Sequence, residues 1–138
     1  MSVLFSRACE YALRGLAEMA RHNEKESWTI QELADQTDTP APFLAKSFQI
    51  LVRNGILKSV KGRGGGFSFA QPVDKIHLIK IVETIDGFSL AEECVLGLPE
   101  CGGENPCPFH DQWAEIRESI IRALSTQTLA QFARNSEH

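Results

Sequence analysis

The stretch from Thr39 to Val73 constrains the fold more than any other part of this 138-residue chain. Its first half predicts a helix over about residues 40–54, with Thr39 as the cap, Pro40 at the first helical position and Gly55 as the stop. Two β-prone runs, ILKSV and FSFA, follow and are joined by the glycine-rich KGRGGG. The pattern predicts a helix followed directly by a hairpin with a flexible tip.

Two further helices are predicted ahead of this stretch. Residues 5–22 place apolar residues at helical spacing with charges between them. The segment WTIQELADQT then offers Thr29 as an N-cap and Glu32 three residues later, which is a capping-box pattern. Two helices joined by a short turn and followed by a hairpin predict a winged helix-turn-helix over residues 1–75. The expected fold class is mainly α with a small β-hairpin.

Charge is unevenly distributed, although the net charge is only −4. No Asp or Glu occurs between Thr39 and Val73. The cations of that stretch are Lys46, Arg53, Lys58, Lys61 and Arg63. Such a local basic field favours a phosphate backbone as the partner. The alternative is a solvated face, but solvated faces usually mix both signs.

The third helix is predicted to bury one apolar stripe and to present its other face to the major groove of double-stranded DNA. The stripe is Leu44, Phe48, Leu51 and Val52. The candidate DNA-binding residues are Pro42, Ala45, Lys46, Gln49 and Arg53 on the helix, and Lys61 and Arg63 on the wing. An amide such as Gln49 can read adenine, and the basic side chains can read guanine or hold phosphate. A winged helix that makes only protein contacts is the alternative.

Residues 76–138 are predicted to form a second functional region, with a cysteine loop and a dimerisation helix. HLIKIVETIDG predicts a helix that ends at Gly87, and TLAQFA predicts a short last helix. Between them lies a helix of about 17 residues with one long apolar stripe. The stripe is Phe109, Trp113, Ile116, Ile120 and Leu124. One small core does not cover a stripe of that length, so a homodimer is expected, although packing on the chain's own first helix is the alternative.

Three cysteines, Cys94, Cys101 and Cys107, and then His110 follow one another in a segment rich in glycine and proline. The chain offers no apolar run long enough for a membrane span and no leader pattern, so a cytoplasmic protein is expected. Cytoplasmic thiols favour metal or redox chemistry over disulfides. The cysteines are separated by six and five residues, which is wider than the spacing usual for zinc. An iron–sulfur cluster is therefore expected, 2Fe–2S ahead of 4Fe–4S.

A cluster of either kind needs a fourth protein ligand in addition to the three thiolates. His110 is the nearest candidate, and an imidazole ligand makes a cluster sensitive to protonation. Glu10 is the second candidate and Cys9 the third, since a partner subunit could bring them to the loop. The simpler interpretations are a solvated Glu10, a buried apolar Cys9 and a structural His110 at the start of a helix.

These motifs together resemble, almost from end to end, the winged-helix iron–sulfur regulators that include IscR, NsrR and RirA. The resemblance is carried by YALRGL, by FLAKSFQILVRNGILKSVKGRGGGF, by IVETIDG, and by three cysteines followed by PFHDQW. It implies a homodimer that binds promoter DNA and holds an iron–sulfur cluster on its three cysteines. His110 matches the histidine that completes the cluster in IscR-like members, and Glu10 matches the carboxylate lent across the dimer in NsrR-like members. The first cysteine gap is one residue longer than in the family, and Ala45 stands where IscR has an acidic residue.

Other functions are possible for a chain with these motifs. A cluster-free thiol-redox regulator or a zinc-dependent regulator is the nearest alternative. An electron carrier would also hold iron and sulfur but has no use for an acid-free helix and wing. An enzyme is not expected, because the chain has no phosphate loop, dinucleotide fingerprint or nucleophile motif.

Overall fold

The computed structural model describes residues 4–62, 65–87 and 107–135, and α1 (Arg7–Arg21) runs through the middle of its core. The helix begins where the Ser6 hydroxyl accepts a hydrogen bond from the Cys9 backbone N–H at 3.0 Å. Small and apolar residues face inward, so that neighbouring helices approach closely. The buried positions of α1 include Cys9, Ala12, Leu13, Leu16, Ala17 and Met19.

The second and third helices, α2 (Ile30–Thr37) and α3 (Ala41–Arg53), form the helix-turn-helix. Thr29 caps α2 as predicted, since its hydroxyl accepts from the Glu32 N–H at 3.1 Å. Asp38 ends α2 in the left-handed conformation, with φ of 53°. Because the turn contains only three residues between the helices, α3 leaves α2 at a fixed angle.

The predicted start of α3 was wrong by one residue, and Thr39 is not its cap. Pro40 is the N-cap, with extended backbone, and the helix begins at Ala41. Thr39 belongs to the end of α2 instead, because its backbone N–H donates to the Ala34 carbonyl at 3.1 Å. Its hydroxyl lies 2.9 Å from the Thr37 hydroxyl. The hydrogen bonds of Thr39 therefore close the preceding helix.

The end of α3 agrees with the prediction at Gly55, which has φ of 77°. The Gly55 N–H donates to the Val52 carbonyl at 3.1 Å, and the Ile56 N–H donates to the Leu51 carbonyl at 3.0 Å. This pair of bonds is a Schellman motif, in which glycine takes the left-handed position. The motif turns the chain directly into the hairpin.

The wing is an antiparallel hairpin of β1 (Leu57–Val60) and β2 (Gly66–Phe69). Its register pairs Leu57 with Phe69 and Val60 with Gly66. The hairpin is also attached to the helix-turn-helix, because Trp28 and Phe67 exchange backbone hydrogen bonds of 2.9 and 2.7 Å. Phe67 packs edge-on against Phe48 of α3, with ring centroids 5.4 Å apart. The wing and α3 are therefore held in one orientation.

After a short turn at Val73–Lys75, the described residues form three more helices, α4 (Leu78–Asp86), α5 (His110–Thr126) and α6 (Leu129–Asn135). Gly87 ends α4 as predicted. An antiparallel bridge between His77 and Thr128 joins the start of α4 to the α5–α6 connection. Helix α6 packs on α1 and α4 packs on α1, α3 and α5.

The hydrophobic core draws on both halves of the sequence. Buried side chains come from all helices except α5, which is without a buried residue. The contributing residues include Leu16, Leu33, Phe48, Leu51, Ile81 and Leu129. The predicted fold class, mainly helical with a two-stranded hairpin, is confirmed. The functional division at residue 75 stays a prediction. Among the described residues, every helix is too short or too polar to cross a bilayer.

Candidate nucleic-acid interface and metal centre

Helix α3 presents the predicted polar face to solvent. Its apolar residues Leu44, Phe48 and Leu51 are fully buried, and Val52 is half-buried. The opposite side carries Pro42, Lys46, Gln49 and Arg53, all exposed, and Ala45, which is half-buried. These positions recur every three or four residues, so they line one face of the helix. An exposed polar and basic helix face of this kind is typical of a recognition helix.

The position of α3 is set by close packing against α1. A β-carbon at Gly15 would lie 3.0 Å from the ring of Phe48 and 3.2 Å from the side chain of Leu44. Ser47, which is 1% exposed, donates its hydroxyl hydrogen to the Ala8 carbonyl at 3.2 Å. A buried hydroxyl with a partner in the neighbouring helix fixes the register between α1 and α3. The exposed face of α3 therefore has a defined direction.

The wing adds exposed cations beside this face. Lys58 on β1 and Lys61 at the tip of the hairpin are exposed, whereas Arg63 lies outside the described residues. No carboxylate occurs in the sequence from Thr39 to Val73, so no acidic residue of that stretch offsets their charge. The charged side chains that this stretch contributes to the wing and α3 are therefore all basic, which favours a polyanion.

One exposed residue on this surface escaped the sequence reasoning. Phe43, at the third position of α3, is 59% exposed. Its ring lies beside Tyr11 of α1, with centroids 6.3 Å apart, and Arg14 lies over the other ring, 5.8 Å from the Tyr11 centroid. The available signal was that Phe43 falls outside the stripe formed by Leu44 and Phe48.

The described part of the cysteine segment begins at Cys107, which is buried, with 8% of its surface exposed. The His110 N–H donates to the Cys107 carbonyl at 3.0 Å, so the two candidate ligands are joined by a single turn at the start of α5. Cys94 and Cys101 lie outside the described residues. The structure therefore brings two of the four predicted ligands together and does not test the set.

The two other candidate ligands lie on α1 and have different surroundings. Cys9 is fully buried, and its pKa rises from 9.0 to about 12, because burial, and then the nearby Asp86 and Glu10 carboxylates, oppose the thiolate. Glu10 is half-buried and lines an open groove of about 530 Å³ between α1, the end of α2 and Phe132. Cys9 thus has the character of a small core residue, whereas Glu10 is accessible from outside.

A link between α1 and α4 lies next to this region. Asp86, the last residue of α4, accepts hydrogen bonds from both the backbone N–H and the hydroxyl of Ser6. Residues 88–106, which include Cys94 and Cys101, follow Gly87 in the sequence and lie outside the described residues. Within residues 4–62, 65–87 and 107–135, no three His, Cys, Asp or Glu side chains are placed to hold one metal ion.

The fold and its exposed basic face define the class of protein: a winged-helix DNA-binding regulator. Residues 5–135 match the Rrf2 family, described as an iron-dependent transcriptional regulator. The chain belongs to this family of transcriptional regulators.

Similar proteins agree with this assignment. An HTH-type transcriptional regulator of Aquifex aeolicus is 36% identical over 120 residues, which cover 86% of this chain and 83% of the relative. The regulator IscR of Erwinia tasmaniensis is 27% identical over 127 residues, covering 92% of this chain and 76% of the relative. These similar proteins are transcriptional regulators and not enzymes.

Solved structures share the fold. CymR, the global cysteine regulator of B. subtilis, superposes with a TM-score of 0.78 at 20% identity and covers 96% of this chain and 98% of its own. IscR of T. potens superposes with a TM-score of 0.76 at 21% identity, covering 96% of this chain and 87% of its own. At these identities the likeness establishes the winged-helix architecture alone.

Proposed function

We propose that the protein is a homodimeric regulator whose affinity for operator DNA is set by an iron–sulfur cluster. Cys94, Cys101 and Cys107 would hold the cluster, with His110 as the fourth ligand and Glu10 of the partner as the alternative. Residues 1–75 would bind DNA, and residues 76–138 would bind the cluster and form the dimer. The IscR relatives support an iron–sulfur regulator, and the family description supports a response to iron.

The observation that carries the proposal is the position of Cys107 at the start of α5. Its thiol is buried, and its carbonyl is bonded to the backbone of His110 in the first turn of that helix. A displacement of the Cys107 backbone therefore moves His110, and with it the N-terminus of α5. A cysteine ligand at this point would be coupled to the long helix through a single turn.

The donors present are chemically suited to a cluster. Thiolate and imidazole are ligands of iron–sulfur centres, and mixed sets of the two raise the reduction potential above that of four thiolates. Cys9 is less suited, because burial raises the pKa of its thiol and so opposes the thiolate form that binds metal. When bound, a cluster would supply a charge that depends on redox state and on iron supply. We favour 2Fe–2S because His110 lies next to Cys107.

The dimer is proposed from the uncovered apolar side of α5. Ile116 is 46% exposed and Phe109 is 42% exposed, and none of the 17 residues of α5 is buried in the chain. Trp113 and Ile120 are also only half-buried. A second copy of α5 would cover this face through a two-fold axis, and the axis would place two α3 helices toward one face of the DNA.

The cluster would change the affinity for DNA by changing the spacing between the two α3 helices of the dimer. Helix α4 packs against both α3 and α5, so a shift at the start of α5 is passed to the reading head through α4. A coupling free energy of about 1 to 3 kcal/mol corresponds to a change of roughly 5- to 150-fold in operator affinity. That range is sufficient for regulation.

Anaerobic purification tests the cofactor directly. We expect an absorption spectrum of an iron–sulfur chromophore, with iron and acid-labile sulfide in equal amounts and little zinc. Cys107→Ser should remove the chromophore. Cys9→Ala is the control, because it also removes a buried thiol, and it should keep the chromophore. Comparison of His110→Ala with Glu10→Gln would identify the fourth ligand through the shifted spectrum. Stoichiometric zinc without sulfide would contradict the proposal.

A cluster-free thiol regulator is the second candidate, favoured by one observation. The structure superposes on CymR of B. subtilis, a cysteine regulator, and with a TM-score of 0.75 on the oxidised form of CymR from Staphylococcus aureus. Under this alternative, the buried Cys107 thiol would form a reversible disulfide bond with a second thiol, and a thiol oxidant would accept the two electrons and two protons released. The protein would then contain neither iron nor sulfide, and a thiol oxidant alone would change its affinity for DNA.

A further inference from the structure

Phe43 is an apolar side chain on a surface otherwise built for a polyanion. Among the described residues it is the most exposed of the large hydrophobic side chains, at 59%. The core of α3 does not need it, because the buried stripe is completed by Leu44, Phe48 and Leu51. It also occupies the third helical position, where an acidic residue would favour the helix dipole. Neither packing in the hydrophobic core nor helix formation therefore accounts for phenylalanine here.

The ring is nevertheless held in place from one side. Tyr11 of α1 lies against it, with 6.3 Å between centroids and 39° between the ring planes. Tyr11 is itself half-buried and packs on the core, and Arg14 covers it at 5.8 Å. An aromatic ring that is supported on one face and open on the other loses little conformational freedom when a partner covers it.

The location of the ring identifies the partner. Phe43 precedes Lys46 by three residues, so the two side chains are neighbours on the surface of α3. Both lie in the N-terminal half of the helix, which is the part of a recognition helix that contacts base edges. The major groove presents one distinctive apolar group to such a side chain, the C5-methyl group of thymine.

We propose that Phe43 is a specificity-determining residue that reads thymine through its C5-methyl group. This inference rests on the DNA-binding part of the proposed function and is independent of the cluster. It adds an apolar contact to the polar readout expected from Lys46 and Gln49. Each half-site would then contain at least one thymine that cannot be replaced by uracil without loss of affinity.

Replacement of thymine by uracil tests this point, because it removes the methyl group and leaves the base pairing intact. A duplex would be selected from a random library by the full chain isolated anaerobically, and each thymine of one half-site would then be changed to uracil. With the wild-type protein we expect about a three- to fivefold loss of affinity at one or two positions, the size expected for one methyl-sized apolar contact. With Phe43→Ala the loss at these positions should disappear.

Two control variants separate this result from a general weakening. Lys61→Ala on the wing should lower the affinity for all duplexes alike and keep the preference for thymine. Phe43→Leu should retain part of the preference, because it keeps an apolar group. If wild type and Phe43→Ala suffer equal losses at every thymine, the inference is wrong, and Phe43 contacts sugar, phosphate or protein instead. If no duplex is selected at all, the DNA-binding function itself fails.

Discussion

The attachment of the wing depends on a glycine, and Gly66→Ala should therefore be among the most damaging single changes. Gly66 has φ of 149°, and a β-carbon there would lie 2.1 Å from the Trp28 carbonyl oxygen. That oxygen accepts the Phe67 N–H at 2.7 Å, in the same bridge in which Trp28 donates to Phe67 at 2.9 Å. The contact cannot be relieved by a side-chain rotation, because the neighbouring atom belongs to the backbone.

The magnitude follows from what the added methyl group displaces. Moving the backbone at Trp28 and at Phe67 far enough apart to admit the methyl group breaks both hydrogen bonds of the bridge. Each of these bonds contributes about 1 kcal/mol. The unfavourable backbone conformation of a non-glycine residue costs a further ~1 to 2 kcal/mol. We therefore expect Gly66→Ala to lower the free energy of unfolding by about 3 to 4 kcal/mol.

Gly55→Ala is the matched control. Gly55 also has a positive φ, of 77°, but a β-carbon at this position would have no atom of the described residues within 4 Å. Only the conformational cost of about 1 to 2 kcal/mol should apply. Urea unfolding at one protein concentration, followed by Trp28 fluorescence in a Trp113→Phe background, measures both variants. Equal destabilisation by Gly66→Ala and Gly55→Ala would refute the steric argument.

Three further predictions concern the dimer, a buried thiol and a helix cap. Ile116→Glu should raise the dimer dissociation constant at least about 100-fold, since each protomer loses an apolar contact. Sedimentation would show a folded monomer, while Glu118→Gln on the same helix stays dimeric. Cys9 has a pKa raised on folding from 9.0 to about 12, so its contribution is complete below pH 9 and lost as the pH rises toward 12. Unfolding curves should show wild type losing about 1 kcal/mol more than Cys9→Ala between pH 7 and 10; parallel pH profiles would contradict this. Thr29→Ala should cost ~1 kcal/mol by removing the cap of α2, measured by urea unfolding, and an unchanged midpoint would show that the hydroxyl is not needed.

The helices and the hairpin could be predicted because their boundaries have local causes. Gly55 and Gly87 end their helices through backbone conformations that glycine favours, and Thr29 begins α2 through a hydrogen bond within one turn. The buried stripe of α3 follows from helical spacing alone. Local hydrogen bonding and periodicity both depend on residues that are close in sequence, so they can be predicted without a tertiary structure.

The start of α3 and the role of Phe43 depend on more distant partners. Thr39 has the chemistry of a cap for either adjoining helix, and its bond to the Ala34 carbonyl assigns it to α2. The orientation of Phe43 depends on Tyr11, which lies on another helix. A pattern within one helix could show that Phe43 is outside the stripe, but not that a second ring supports it.

The side chains predicted to face outward on α3 are exposed, apart from the half-buried Ala45. Their role in DNA binding and the predicted metal centre both stay predictions. Spacing along α3 was enough to find Lys46, Gln49 and Arg53, which are all exposed. A metal site depends on ligands brought together from separate turns, and Cys94 and Cys101 lie outside the described residues. Of the ligand set, the structure places Cys107 and His110 in one turn.

The most direct test of the account is the operator affinity of the same preparation before and after removal of its iron by a chelator. Both measurements would be made anaerobically at one salt concentration, because salt alone changes the affinity for DNA. The account predicts a ratio of roughly 5 to 150, and no change on chelation for a variant with serine at Cys94, Cys101 and Cys107. Equal affinities of the cluster-loaded and the stripped protein would contradict it.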